Sequence, residues 1–554
     1  MEETMSRGSP TNSLPNPIWF SPETGVYTSK HHRRPLPQDP FQDIVSFLFS
    51  ERHKGEIALL DSQSGLAISY ADLRSMVESM AVGIHQLGLS SGRVVLILLP
   101  NSILFPIVLL AILSLGAVFS AMNPLSTREE IRKQMGSVQP AMAFTSLEKA
   151  AILDGARVPV LPVPENLNYD PVKYPIFHRM ISCTPSLPRL PAIRQTDTAA
   201  ILFTSGTSGH SKGVVLTHGN LIAMIELFVR FEASQYEKES WKDVYLAAIP
   251  MFHVYGLSLF VLGLLSLGTK VVVMRRFGVQ EAIRAIERYE VTHFPLVPPI
   301  MAALVRAKDE TRCELRSLKQ VSCGAAPLSQ KLIHDFLSRF QHVDFIQGYG
   351  MTESTAVGTR GFNNEEHKRY SSPGLLAPNM EAKIVDQETG QCFPPCKVGE
   401  LWLRGPAIMK GYLNDEEETK LKIDKHGWLK TGDVGYFDQD GFLFIIDRLK
   451  DVIKYKGFQV APADLEDVLT SHSDILDAAV TSDVDEEAGE IPMAFVVRKE
   501  ASNLSPSEIM EFVAKKVAPY KKVRKVVFVQ SIPRSPAGKI LRRTLKSSHV
   551  ASRL

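Results

Sequence analysis

Twenty consecutive residues, Ile103 to Met122, carry no charge, and any fold for this chain must hide them from water. Their length alone admits a membrane-spanning helix. Their punctuation argues for something else. Pro106 and Gly116 interrupt the run, a strand-like segment Val94 to Leu99 precedes it, and a turn-like Asn123-Pro124 follows. Strand, Pro-Asn-Ser turn, apolar helix and short strand is the pattern of a buried α/β unit. A second apolar run, Leu257 to Thr269, has thirteen residues and is too short to span a bilayer. Both are read as core, with peripheral membrane contact as the residual alternative.

The same alternation continues elsewhere. Short apolar runs at Thr198–Phe203, Gly213–Leu216, Lys270–Met274 and Ala382–Val385 are separated by amphipathic segments, which argues α/β architecture. Thr127 and Glu130, three apart and just before Ile131, form a capping box that opens a helix. No repeat of 20–50 residues is present, against solenoids and propellers. Residues 1–35 are polar with Pro and Ser and are read as a loosely attached arm. The chain changes character near Asp447–Lys450. Beyond it, a helix near 463–471, a strand near 491–498, a helix near 506–518 and a strand near 525–530 predict a small α+β domain. The expected division is an arm over 1–35, a large domain over 36–446 and a small domain over 447–554.

Composition excludes several classes. With 44% hydrophobic and 22% charged residues, the chain is neither disordered, collagen-like nor a coiled-coil rod. The 62 basic and 60 acidic residues leave +2, against a nucleic-acid binder driven by bulk charge. That total conceals an asymmetry: residues 501–554 hold 12 Lys+Arg and 2 Asp+Glu, while the remainder holds 50 and 58. Five cysteines fit a reducing compartment without a disulfide framework, and Cys392 and Cys396 are read as loop thiols rather than a metal knuckle. The first ten residues carry two acids and no apolar core, so neither a signal nor a transit peptide is expected. Ser552-Arg553-Leu554 is a conservative variant of the peroxisomal Ser-Lys-Leu address.

The segment Thr204 to Gly213, sequence TSGTSGHSKG, lies between two apolar runs. Glycines let backbone approach phosphates, hydroxyls and amides donate to them, and Lys212 adds charge. It is neither a Walker A loop nor a G-x-G-x-x-G fingerprint. Further motifs follow in order: Pro250–Tyr255 (PMFHVY), Gln347–Glu353 (QGYGMTE), Gly399–Gly405, Trp428–Asp433 (WLKTGD), Asp447–Asp451 (DRLKD), Lys454–Gly457 and Pro536–Lys539 (PAGK).

In this order and spacing the motifs resemble the adenylate-forming superfamily over roughly residues 40–545. The stretches Ile453–Pro462, Val517–Lys522 and Gly348–Gly358 most resemble plant 4-coumarate–CoA ligase-like proteins, and with the Ser-Arg-Leu tail their peroxisomal branch. The resemblance implies an α/β fold: a large N-terminal body of α/β subdomains plus a β-barrel-like subdomain, then a small mobile α+β C-terminal domain. It also implies an ATP-dependent carboxylate–CoA ligase that forms an acyl-adenylate and then a thioester, with Mg²⁺ accompanying ATP.

Carried onto matching positions, the resemblance implies these roles. Lys539 bridges the carboxylate and the α-phosphate, and His253 orients both. Thr352 holds the α-phosphate and Glu353 the magnesium ion. Thr204, Ser205, Gly206, Thr207, Ser208 and Lys212 wrap the phosphates. Gln347, Gly348 and Tyr349 border the nucleotide, Asp433 and Arg448 take the ribose, and Lys450 and Lys454 approach the AMP phosphate. Asp447 is the hinge, while Arg276, Lys456 and Gly457 face coenzyme A; Arg276 keeps the charge of the family's usual lysine but not its geometry.

The acyl pocket is expected from Tyr255, Leu259, Ala325, Gly348, Ala356 and Val357. Enzymes that activate 4-coumarate usually read Ala-Gly-Pro-Val-Leu after the glutamate, where this chain reads Ser354-Thr-Ala-Val-Gly358. The exchange predicts a wider apolar pocket without a partner for a ring hydroxyl. It favours medium-chain fatty or jasmonate-precursor (oxylipin) acids over 4-coumarate, the alternative. A carrier-loading module, a luciferase and a non-enzymatic membrane-associated binding protein are the rivals. The expected partners are a carboxylic acid, ATP, CoA and the peroxisomal import receptor, with no nucleic acid.

Overall fold

The computed structural model describes residues 19–546 except 51–52, 156, 184–191, 206–210, 237–238, 312, 364–367, 456–457, 486–488, 501, 536–537 and 543. The strand Val94–Leu98 is apolar at every position and pairs in parallel with Val118–Ala121 on one side and Met142–Ser146 on the other. A strand covered on both faces needs such an uninterrupted run. It lies inside a seven-stranded sheet whose other members are Val160–Val163, Thr198–Ser205, Ser211–Thr217 and Gly411–Tyr412.

The charge-free run resolves as the sequence pattern predicts. Phe105–Ser114 is a helix with Pro106 in its first turn, where a missing N–H costs nothing. The chain turns at Gly116 and continues into Val118–Ala121. Phe105 to Leu113 are buried, with the helix Tyr70–Gln86 packed on them. Leu257 to Ser266 are likewise buried, in a π-helical segment followed by a 3₁₀ turn. Among the described residues no helix is long and apolar enough to cross a membrane.

A nine-stranded sheet contains six parallel strands side by side: Asp344–Tyr349, Gln320–Cys323, His293–Leu296, Val244–Ala247, Lys270–Val273 and Ile57–Asp61. The first of them ends at Tyr349, and open parallel sheets bind ligands beyond such carboxyl ends. A six-stranded antiparallel sheet stands where the β-barrel-like subdomain was expected, built from Phe20–Ser21, Val26–Thr28, Glu381–Val385, Gly399–Arg404, Leu429–Phe437 and Leu443–Arg448.

That sheet corrects one expectation. Residues 19–35 do not belong to a loose arm. Val26–Thr28 pairs with Glu381–Val385, and the fully buried Tyr27 stacks on Phe437 at 4.6 Å while its hydroxyl donates to the Phe393 carbonyl at 2.8 Å. Arg34 donates its backbone N–H to Asn379 at 3.0 Å and pairs with Glu226 at 3.4 Å. Polar composition had masked two aromatic anchors, Phe20 and Tyr27, spaced to reach one core. Residues 1–18 and the tail Ser552–Leu554 lie outside the described residues.

After Arg448 the chain enters a five-stranded sheet of Phe458–Val460, Ile453–Tyr455, Gly489–Arg498, Ile475–Asp485 and Lys525–Phe528. Helices Pro462–Thr470 and Pro506–Ala514 contribute to a separate apolar core with it. Both helices carry Pro at the first turn, and a Ser505–Glu508 capping box starts the second.

Tyr27→Ala should destabilise the large domain by about 3 kcal/mol, the cost of emptying an aromatic core position. Tyr27→Phe, which loses one hydrogen bond, should cost about 1 kcal/mol. Urea midpoints of the two variants check this; equal midpoints would return residues 19–35 to the status of an arm.

Candidate active site

A cavity of about 370 Å³ opens where the three sheets of the large domain meet the small domain. Its wall includes Thr204 and Lys212 from the paired strands flanking the glycine-rich loop, which face each other in register. His253, Tyr255, Ala325, Gly348, Tyr349, Thr352, Glu353 and Ala356 also line it, as do Arg448 and Lys539. Positions from five separate motifs thus converge on one space.

Asp433 and Arg448 are register partners on adjacent antiparallel strands, and the guanidinium lies 3.5 Å from the carboxylate. The Tyr349 hydroxyl donates to the other Asp433 oxygen at 2.6 Å. Burial, reinforced by Asp433, raises the Tyr349 pKa, so the phenol remains a donor. Asp433 itself is buried behind these partners.

His253 caps the short helix Val254–Gly256: its Nδ1 accepts the Tyr255 N–H at 3.3 Å, which leaves Nε2 as the ring's second polar atom. Burial and then the Lys539 charge push its pKa down to about 4, so the ring is neutral near neutral pH. Glu353 is buried, with the Tyr412 hydroxyl donating to its Oε1 at 3.0 Å. A single carboxylate on the cavity wall suits Mg²⁺, which takes few protein ligands and keeps substrate oxygens and water.

Lys539 comes from the small domain. The neighbouring Gly538 adopts φ +79° against the large domain, and a Cβ there would lie 2.8 Å from Pro299 Cδ. Ser535 frames the loop: its N–H donates to the Lys539 carbonyl at 2.8 Å and its hydroxyl accepts the Lys539 N–H at 3.2 Å. Burial, Arg448 and Lys450 together lower the Lys539 pKa to about 7. Asp447 joins the two domains from the opposite strand face. It accepts the Arg448 N–H at 2.7 Å and, across the junction, the Ala463 N–H at 2.9 Å.

Several expected positions fall elsewhere. Gln347 is outside the cavity wall and donates to the Tyr370 carbonyl at 2.6 Å. Val357 is wholly buried in core, and Leu259 borders a second cavity of about 80 Å³ instead. Arg276 and Lys450 are exposed. Gly206, Thr207, Ser208, Lys456 and Gly457, and the side chains of Ser205 and Lys454, lie outside the described residues.

Other wall residues were missed. Lys422 is half-buried with its ammonium on the Thr431 carbonyl at 3.2 Å, and its pKa is lowered by burial. It follows a run of glutamates in Glu416–Lys422, which reads locally as a solvated helix. Lys212 pairs with Glu418 of that helix and stands over the Tyr412 ring. The expectation of an acyl wall without a polar partner is overturned by Arg360, a buried guanidinium two residues beyond the Ser354–Gly358 run.

The AMP-binding enzyme family matches residues 48–413, and its C-terminal domain matches residues 464–539. The chain belongs to the AMP-binding enzymes. It is an acid–thiol ligase of the adenylate-forming superfamily, near the plant 4-coumarate–CoA ligase-like proteins. 4-Coumarate–CoA ligase-like 6 of Arabidopsis thaliana is 55% identical over 97% of this chain and 96% of its own length. Peroxisomal OPC-8:0-CoA ligase 1 of the same plant is 44% identical over 95% and 96%. The o-succinylbenzoate CoA synthetase of Bacillus subtilis, solved with its acyl-adenylate intermediate, superposes with a TM-score of 0.78 at 26% identity, covering 91% of this chain and 98% of that one.

In this AMP-binding enzyme, ATP binding should take up a proton at pH 8. Lys539, with a pKa near 7, is then mostly neutral, and a polyphosphate beside it restores the preference for the cation. At pH 6 the lysine is already charged and contributes no uptake. Calorimetric titrations in buffers of different ionisation enthalpy measure the exchange, and Lys539→Ala should abolish most of it at pH 8.

Proposed function

We propose that this ligase activates a medium-chain fatty or oxylipin-type acid with ATP and transfers it to coenzyme A in the peroxisome. The observation that carries the mechanism is Lys539 lining the same cavity as His253 and Arg448. A carboxylate oxygen attacks the α-phosphorus, the bond to pyrophosphate breaks, and the acyl-adenylate forms. The coenzyme A thiolate then attacks the acyl carbon, and AMP leaves with the bonding electron pair.

The first step drives an anion onto a polyanion, so cations aimed at the developing charge lower its barrier. Lys539 bridges the carboxylate and the α-phosphate. Neutral His253 orients both through its free ring nitrogen, and Thr352 adds a hydroxyl. Asp433, released from Tyr349, accepts the ribose hydroxyls while Arg448 steadies the sugar. The 204–208 loop and Lys212 take the outer phosphates. Glu353 fits Mg²⁺, which neutralises phosphate charge when bound. Between steps the small domain pivots at Asp447, withdrawing Lys539 so that Arg276, Lys456 and Gly457 meet coenzyme A, with Lys450 and Lys454 near AMP.

The substrate reading is supported by Ala356 on the cavity wall, which leaves space that a bulkier side chain would fill. The relative named for OPC-8:0 and the Ser-Arg-Leu terminus support oxylipin chemistry and the compartment. A second reading, 4-coumarate, is favoured by the buried Arg360–Glu232 pair at 2.7 Å, which offers a ring hydroxyl both a donor and an acceptor.

Lys539→Ala should reduce acyl-adenylate formation about 10²–10³-fold, with far smaller loss of thioester from supplied acyl-adenylate. Equal loss in both half-reactions contradicts the role. In a panel of acids, fatty or oxylipin acids should exceed 4-coumarate in kcat/KM; the reverse order selects the second reading.

A further inference from the structure

Arg360 is an unusual residue to find on an acyl pocket. Its side chain is 4% exposed, yet it lines the main cavity together with Phe228, Tyr255 and Gly348. One terminal nitrogen, Nη2, holds Glu232 at 2.7 Å, and the guanidinium stacks on the Phe228 ring at 5.0 Å from its centroid. Nε is buried without a hydrogen-bond partner. The strand Thr359–Arg360 pairs with Gly348–Tyr349, placing Arg360 opposite Gly348. A Cβ at position 348 would stand 3.1 Å from the Arg360 Nη1, so the glycine provides the room in which the guanidinium sits.

This arrangement costs stability unless something uses it. A buried ion pair is often no better than apolar residues of the same volume, and an unmet buried donor costs about 1–3 kcal/mol. A pocket for plain hydrocarbon chains gains nothing from either. Arg360 also stands at the inner end of the space. It borders the second cavity, which His253, Arg448 and Lys539 do not touch. An acid with its carboxylate between His253 and Lys539 therefore extends its far end toward Arg360.

We propose that Arg360, held by Glu232 and Phe228, is a specificity residue that donates a hydrogen bond to an oxygen at the distal end of an otherwise apolar acyl substrate. The inference rests on the ligase reading above and narrows it: the preferred acid carries a keto, hydroxyl or phenolic oxygen remote from its carboxylate. A site built to satisfy a polar group discriminates strongly against the analogue that lacks it, because its own groups are left unpaired. Burial disfavours the charge on Arg360, but the Glu232 carboxylate outweighs it and raises the pKa, so the guanidinium stays cationic and the preference should not vary between pH 6 and 9.

The test uses matched pairs of acids that differ only in the distal oxygen: a medium-chain fatty acid with its remote oxo or hydroxy derivative, and cinnamate with 4-coumarate. With wild-type enzyme, ATP and coenzyme A, the oxygenated member of at least one pair should have a kcat/KM about tenfold or more above its partner. The pair that responds tells chain from ring. Arg360→Met should bring that ratio close to one, and Arg360→Lys should retain part of it. Because Arg360→Met leaves Glu232 buried and alone, R360M/E232M removes the ion pair as a unit and should give the same flattened ratio. Wild-type ratios near one for both pairs, or an unchanged ratio in the double variant, overturn the proposal while leaving the ligase reading intact. Absence of thioester from every acid with the wild-type enzyme would instead defeat the ligase reading itself.

Discussion

A lysine withdrawn from water and set among other cations organises this molecule. Burial disfavours the charge on Lys539, and Arg448 and Lys450 disfavour it further. A bound anion would relieve the repulsion between Lys539 and its cationic neighbours, and a nucleotide polyphosphate is such an anion. The contacts that bring Lys539 there are modest: Gly538 against Pro299, and the Lys331 ammonium on the Thr470 carbonyl at 2.9 Å. Binding of the anion and docking of the small domain consequently stabilise each other, since each lowers the cost of the other.

Strand periodicity separates the tasks at the junction. Successive residues of a strand face opposite sides. On Leu443–Arg448, Arg448 turns toward Asp433 and the cavity, while Asp447 turns toward the first helix of the small domain and takes the Ala463 N–H. Behind Asp447, Arg542 pairs with Glu466 at 2.7 Å, and burial lifts the Glu466 pKa to about 7. The chain thus crosses between the domains at a buried carboxylate, Asp447, and the apolar cores on either side remain separate. Such a joint resists loss of its partners but carries no large hydrophobic surface that would have to be exposed on opening.

Much of this was legible along the chain. Uninterrupted apolar runs announced the doubly covered strands, Pro106 and Gly116 bounded the buried helix, and Thr127 with Glu130 marked a helix start that the structure reproduces. The motifs around His253, Glu353, Asp433 and Lys539 announced chemistry, because small residues beside isolated polar ones have no use in a core. The failures share a cause: they concern residues whose meaning lies in a partner far away in sequence. Tyr27 reads as part of a polar arm until Phe437 and Phe393 are beside it. Lys422 reads as the end of a solvated helix until Thr431 takes its ammonium. Arg360 belongs to none of the sequence motifs, and its place is apparent only once Glu232 and Phe228 bury it.

The sequence by itself determined the α/β class, the family and several of the motif residues that the structure gathers on one cavity, because periodicity and motif are local and survive without coordinates. Tertiary structure alone decided that residues 19–35 complete a sheet, that Lys539 has a depressed pKa, and that a paired guanidinium lines the cavity. Those properties depend on desolvation and on charges brought together from distant segments. Neither quantity exists until the chain has closed around them.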